Sequence, residues 1–185
     1  MDSFNEGKFR ELVLYVASRC ESLPRYGKTK LYKILFYSDF EAYRRTGRSI
    51  TGARYLAWER GPVPETGERR LIEDAMVQDR DLALRRRGLE QRYVALREPD
   101  LGVFSAAEIA IEDDAITKFK DDSATAASER SHTELLAWRA GFAEFDATGH
   151  QVHIPYGAAH VSAPTLDEAD EAHAADLARR HHWPG

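Results

Sequence analysis

The sequence predicts a compact, mainly α-helical bundle with a small β-hairpin as its minor β component. Three observations lead there. Two consecutive N-terminal segments repeat apolar residues at helical spacing, two Ser/Thr-x-x-Glu patterns open further helices, and the stretches flanking Gly88 are strand-like. At 185 residues the chain suits one domain over 1–185, with its core over about 8–160 and a C-terminal helix and tail over 161–185. Hydrophobic residues make up 43% and charged residues 31%, which excludes the apolar-poor composition of a disordered chain.

From Lys8 to Ser22, Phe9, Leu12, Val13, Val16 and Cys20 form one apolar stripe, and Pro24 and Gly27 close the helix. A second helix is predicted from about Thr29 to Arg45. Leu31, Ile34, Leu35, Ser38 and Ala42 line one side, and Tyr32, Phe36, Phe40 and Tyr43 widen the apolar surface, so this helix should be central. Gly47 suits a left-handed helix end. From Ser49 to Pro64 the composition changes to β-formers, two glycines and two prolines, which reads as an extended connection with a tight turn at Gly61-Pro62. Pro64 then suits the first turn of a helix continuing to about Gln78.

Residues 82–86 and 91–96 read as the hairpin, which must lean on the helices because two strands alone are marginal in water. Ser105 and Glu108 form a capping box for a helix to about Lys120. A further helical stretch starts between Asp122 and Ser128 and runs through Leu135, Leu136 and Trp138 toward Phe142. Gly149 to Ala163 reads as loop anchored by Val152, Ile154 and Tyr156. Thr165 and Glu168 cap a last helix ending near Arg180, followed by a frayed tail.

The charge is lopsided. Residues 1–97 hold 20 basic and 14 acidic side chains, net +6, whereas residues 98–185 hold 6 and 17, net −11. An acidic half attracts a basic partner and speeds the encounter without naming it. No run approaches the roughly 18 apolar residues of a membrane span, the start lacks a basic-then-apolar leader, and the lone Cys20 has no disulfide partner. A cytoplasmic protein is expected.

Chemistry-bearing patterns are sparse. Neither G-x-x-x-x-G-K-S/T nor G-x-G-x-x-G occurs, which argues against nucleotide chemistry. His150, His153, His181 and His182 lack a zinc-binding signature, so no metal and no cofactor are expected. Ser131-His132 is the most tempting catalytic pair, but adjacent residues rarely face each other on a helix. Asp39 and Glu41, two apart, make a poor pair for acid–base work. Lys30, Asp39 and Arg48 suit either an internal ion pair or a partner surface. Arg85-Arg86-Arg87 at the hairpin tip is weak evidence for a phosphate backbone on an acidic protein, and no nucleic-acid partner is expected. The reading is of a binding protein and not an enzyme.

Three blocks in order carry a resemblance: residues 30–43 (KLYKILFYSDFEAY), residues 46–52 (TGRSITG) and residues 55–63 (YLAWERGPV). Together with Ser131-His132, Trp138 and Ile154-Pro155-Tyr156, they resemble the Panacea domain of the SocA-like antitoxin family over roughly residues 8–160. One departure is Ala137, where the family tends to place a proline before the tryptophan. Residues 79–104 carry no family motif. The resemblance implies an antitoxin that neutralises a cognate toxin protein by direct contact, with a protease or chaperone as a further partner if the chain delivers its toxin for degradation. A hydrolase centred on His132 is a less favoured alternative, and a DNA-binding regulator, suggested only by Arg85-Arg86-Arg87 and the positive first half, comes after it. Tyr55, Trp58, Gly61, Pro62, Arg48, His132 and Tyr156 are the candidate partner-binding residues, since amphipathic rings on a rigid turn suit binding hot spots.

Overall fold

The computed structural model describes residues 3–23, 25–58, 60–87, 90–123, 125–127 and 151–160. The elements follow in chain order as α1 (Glu6–Cys20), α2 (Lys28–Thr46), β1 (Tyr55–Trp58), β2 (Gly61–Pro64) and α3 (Thr66–Arg70). A π-helical turn (Leu71–Ala75) leads into α4 (Met76–Gln78), β3 (Leu82–Arg87), β4 (Glu90–Ala95) and a 3-10 turn (Leu101–Val103). Then come α5 (Ala106–Phe119), β5 (Val152–His153) and a second 3-10 turn (Tyr156–His160). The fold is mainly α with minor β, as the sequence predicts.

Asn5 starts α1 by accepting the Lys8 amide on its side chain, and the expected stripe is buried throughout. Helix α2 ends at Gly47 in the left-handed conformation, φ 74°, with its amide bonded to the Tyr43 carbonyl. It packs against α1, α5, β2 and β4, so its wide apolar surface is explained by neighbours on several sides. Helix α5 opens with the Ser105–Glu108 capping box, both halves formed. The hairpin β3–β4 pairs Leu82 with Ala95 and Leu84 with Tyr93, and β4 lies on α1 and α2.

Three readings need correction. The segment 49–64 is not an extended connection with its turn at Gly61-Pro62: β1 and β2 form a hairpin whose last pair is Trp58 with Gly61, so the chain has reversed before Gly61. Gly61 opens β2 at φ 100°, a backbone position that other residues rarely adopt. Nor does Pro64 begin a helix; it is the last residue of β2, and α3 starts at Thr66. Along β2 the bonded pairs fall on Gly61 and Val63, which leaves the imino nitrogens of Pro62 and Pro64 pointing away from β1, where no ladder bond is lost. The stretch expected as loop after Gly149 supplies β5, which pairs with β1 and completes a sheet ordered β2-β1-β5.

The helix expected through Trp138, the final helix with its Thr165 cap, Gly88 and Ser131-His132 lie outside the described residues. Among the described residues no helix is long and apolar enough to cross a membrane.

Gly52, at φ 72°, meets the Ser3 backbone so closely that an added Cβ would stand 2.8 Å from its carbonyl oxygen. Gly52→Ala should therefore cost about 1–3 kcal/mol in urea unfolding, whereas Gly67→Ala, whose Cβ meets nothing within 4 Å, should cost much less.

Candidate functional site

Helix α2 reaches the sheet through polar groups that are fully buried. Asp39 Oδ1 accepts the Thr51 amide at 2.7 Å, and Oδ2 accepts both the Thr51 hydroxyl and the Tyr55 hydroxyl at 2.7 Å. Burial raises the Asp39 pKa and the bonds from Thr51 and Tyr55 restrain it, leaving it pushed up to about 6. The Tyr55 hydroxyl is held well above its ordinary range by burial and by the Asp39 charge. Around this carboxylate, Tyr55 meets the rings of Phe36 and Phe40 edge-on, at 5.2 and 6.0 Å.

Two lysines of α2 are also interior. Lys30 donates to the carbonyl of Lys120 just beyond α5, where a helix end is rich in unpaired acceptors. Lys33, 1% exposed, donates to the carbonyl of Arg60 in the β1–β2 turn, and burial pulls its pKa down to about 7. The hairpin is thus fastened to α2 at both ends, by Tyr55 on Asp39 and by the Arg60 turn on Lys33.

What the hairpin shows to solvent is Trp58. It is 37% exposed, and the Arg69 guanidinium of α3 lies over its ring at 4.8 Å. Nearby, the Arg54 side chain pairs with Glu65 at 2.7 Å while its backbone amide donates to the buried Glu68, which fixes α3 against β1. His153 of β5 stands 3.6 Å from Glu65. Trp58, with Arg69 over its ring, is the aromatic side chain that the hairpin exposes.

The candidate residues separate accordingly. Trp58 and Arg48 are exposed, Tyr156 is half-buried, and Tyr55, Gly61 and Pro62 are interior. Tyr156 donates to the Ala53 carbonyl at 2.6 Å, stacks on Tyr43 and lies tilted against Phe40, which secures β5 and its 3-10 turn. His132 lies outside the described residues. Of Lys30, Asp39 and Arg48, the first two are internal and Arg48 faces solvent. Sequence reasoning missed Lys33, Arg69 and Glu112. For Lys33 a signal existed, because it follows Lys30 by one helical turn within an otherwise apolar segment.

Glu112 on α5 is fully buried, and neither carboxylate oxygen meets a hydrogen-bond donor among the described residues. Burial, reinforced by the charges of Glu108 and Asp39 against the pull of Lys8, pushes its pKa up to about 8. Among the described residues no group of three or more His, Cys, Asp or Glu side chains could hold a metal ion.

The described residues thus form a helical scaffold with a buried polar core and an exposed aromatic ring. The family model for the antitoxin SocA-like, Panacea domain matches residues 31–139, more than half of the chain, and the chain belongs to that family. The match runs from within α2 past α5 and includes both ends of the β1–β2 hairpin. It stops short of Tyr156, so it is narrower than the sequence resemblance. No curated protein and no solved structure matches the chain.

Two outcomes follow for stability. Asp39→Ala strands the Thr51 and Tyr55 donors and should cost about 3–5 kcal/mol in urea unfolding, while Tyr55→Phe should cost about 1–3 kcal/mol. The two losses should be far from additive in a double-mutant cycle. Glu112 keeps its proton when folded up to about pH 8 but sheds it when unfolded near pH 4.5, so folding takes up a proton between these values and stability falls as pH rises. Glu112→Gln should remove that slope, leaving the variant more stable than wild type by roughly 2–4 kcal/mol at pH 9 and little different at pH 4.

Proposed function

We propose that this chain is a cytoplasmic antitoxin that neutralises a cognate toxin protein by binding it directly, without turning over a substrate. The observation that carries this reading is membership of the antitoxin SocA-like family over a segment containing the exposed Trp58 and its supports. An exposed tryptophan held by Arg69 and backed by a fixed hairpin brings large apolar area at little entropic cost, the property of an interface anchor. Neutralisation works by occlusion: the toxin surface that receives Trp58 is no longer free for its target. Arg48 and Tyr156 flank this role, with Arg48 exposed beyond the end of α2 and Tyr156 holding the strand beside β1. His132, read from the sequence alone, is proposed as a further partner-contacting residue.

Co-expression with the toxic reading frame beside its gene tests the proposal. Wild type should restore growth and bind the purified toxin, with toxin half-life unchanged; a shortened half-life would instead make the chain an adaptor for a protease. Trp58→Ala should weaken toxin binding about thirtyfold, the loss of an anchor worth about 2 kcal/mol, and leave the melting temperature close to wild type. Catalytic turnover by the purified chain, or full neutralisation without complex formation, would overturn the proposal.

A further inference from the structure

We propose that Lys33 is the positioning residue of the toxin-binding surface: from inside the protein it fixes the peptide between Arg60 and Gly61, and through that peptide the setting of Trp58. The consequence for binding rests on the antitoxin reading above; the effect on Trp58 does not. Lys33 lies on α2, 1% exposed, and its ammonium donates to the Arg60 carbonyl. That carbonyl belongs to the two-residue loop joining Trp58 to Gly61, the last pair of the hairpin. Its direction is governed by the torsions on either side of the peptide, and the φ of 100° at Gly61 is one that a side chain would oppose. Lysine and glycine are therefore two halves of one device, with the glycine letting the carbonyl turn inward and the lysine holding it there.

Stability alone gives no reason for a lysine at this place. An interior ammonium forfeits its hydration, and an apolar chain of similar length would cover the same surface without that penalty. What the apolar chain lacks is a donor for the turn. Removing the donor acts in two directions on folding, easing desolvation while taking the Lys33 hydrogen bond from the turn carbonyl, so the net change in stability is small. The change in the turn is not small, because Trp58 closes the hairpin against Gly61, directly beside the peptide that Lys33 holds.

The experiment uses the full chain labelled with 5-fluorotryptophan, which reports Trp58, Trp138 and Trp183 as three fluorine resonances. Trp58→Phe assigns the first. Lys33→Met should shift and broaden the Trp58 resonance while those of Trp138 and Trp183 stay in place, and should weaken toxin binding at least about tenfold with the melting temperature nearly unchanged. Gly61→Ala, which attacks the same peptide from its other side, should disturb the same resonance and serves as the deciding variant if Lys33→Met does not fold. An unmoved Trp58 resonance in a folded variant overturns the proposal, as does a moved resonance with toxin affinity intact. Should wild type bind no toxin at all, the antitoxin reading fails, while the fluorine spectrum still decides whether Lys33 sets Trp58.

Discussion

The carboxylate of Asp39 is the interaction on which the rest of this molecule depends. It is enclosed by aromatic rings and receives three donors at 2.7 Å, from the Thr51 amide, the Thr51 hydroxyl and the Tyr55 hydroxyl. In an interior of low dielectric each of these bonds is strong, and the loss of any partner would leave the others stranded. The loop after α2 and the first strand therefore have one arrangement available to them. Gly52, at positive φ against the Ser3 backbone, lets the chain turn tightly enough for Thr51 and Tyr55 to meet the same carboxylate.

The same helix explains why an aromatic surface can be displayed firmly by so small a sheet. Three short strands would be marginal alone. Here β2 packs on α2, the turn is bonded to Lys33, and β5 is tied through Tyr156 to Ala53 and through the Ile154 amide to the Tyr55 carbonyl. On the far side of the bundle the fastening is different in kind. Asp81 receives Arg10 at 2.9 Å and Arg97 at 2.6 Å, and Glu11 receives Arg97, linking α1 to the β3–β4 hairpin through partly exposed ions. Leu82 and Tyr93 also bury this hairpin in the core, so the two hairpins differ in the kind of polar fastening each has.

That contrast bears on function. A surface that must be ready when its partner arrives benefits from side chains already in place, because ordering them on binding would subtract from affinity. Trp58, flanked by Arg69 and backed by the Lys33–Arg60 bond, meets this condition. The ionisable groups buried in the interior are an expensive foundation. Lys33, Asp39 and Glu112 all have pKa values displaced by burial, a combination that favours geometric specificity over maximal stability.

What the sequence determined by itself was set by local rules. The stripes of α1 and α2, the left-handed stop at Gly47, the Ser105–Glu108 cap and the β3–β4 hairpin follow from periodicity, capping and strand patterning, each a matter of near neighbours. The three motif blocks likewise carried the family. What only the tertiary structure decided was how residues 49–64 are used. Pro62 and Pro64 read locally as turn and helix-start signals, yet they lie in an edge strand because β1 and α2 accept them there and no ladder bond is lost. Tyr55 and Trp58, alike as large rings three residues apart, parted for the same reason: Asp39 claimed one for the interior, and the other was left facing solvent beneath Arg69. Whether a ring anchors a core or a partner depends on what stands opposite it, and that is settled by groups distant along the chain.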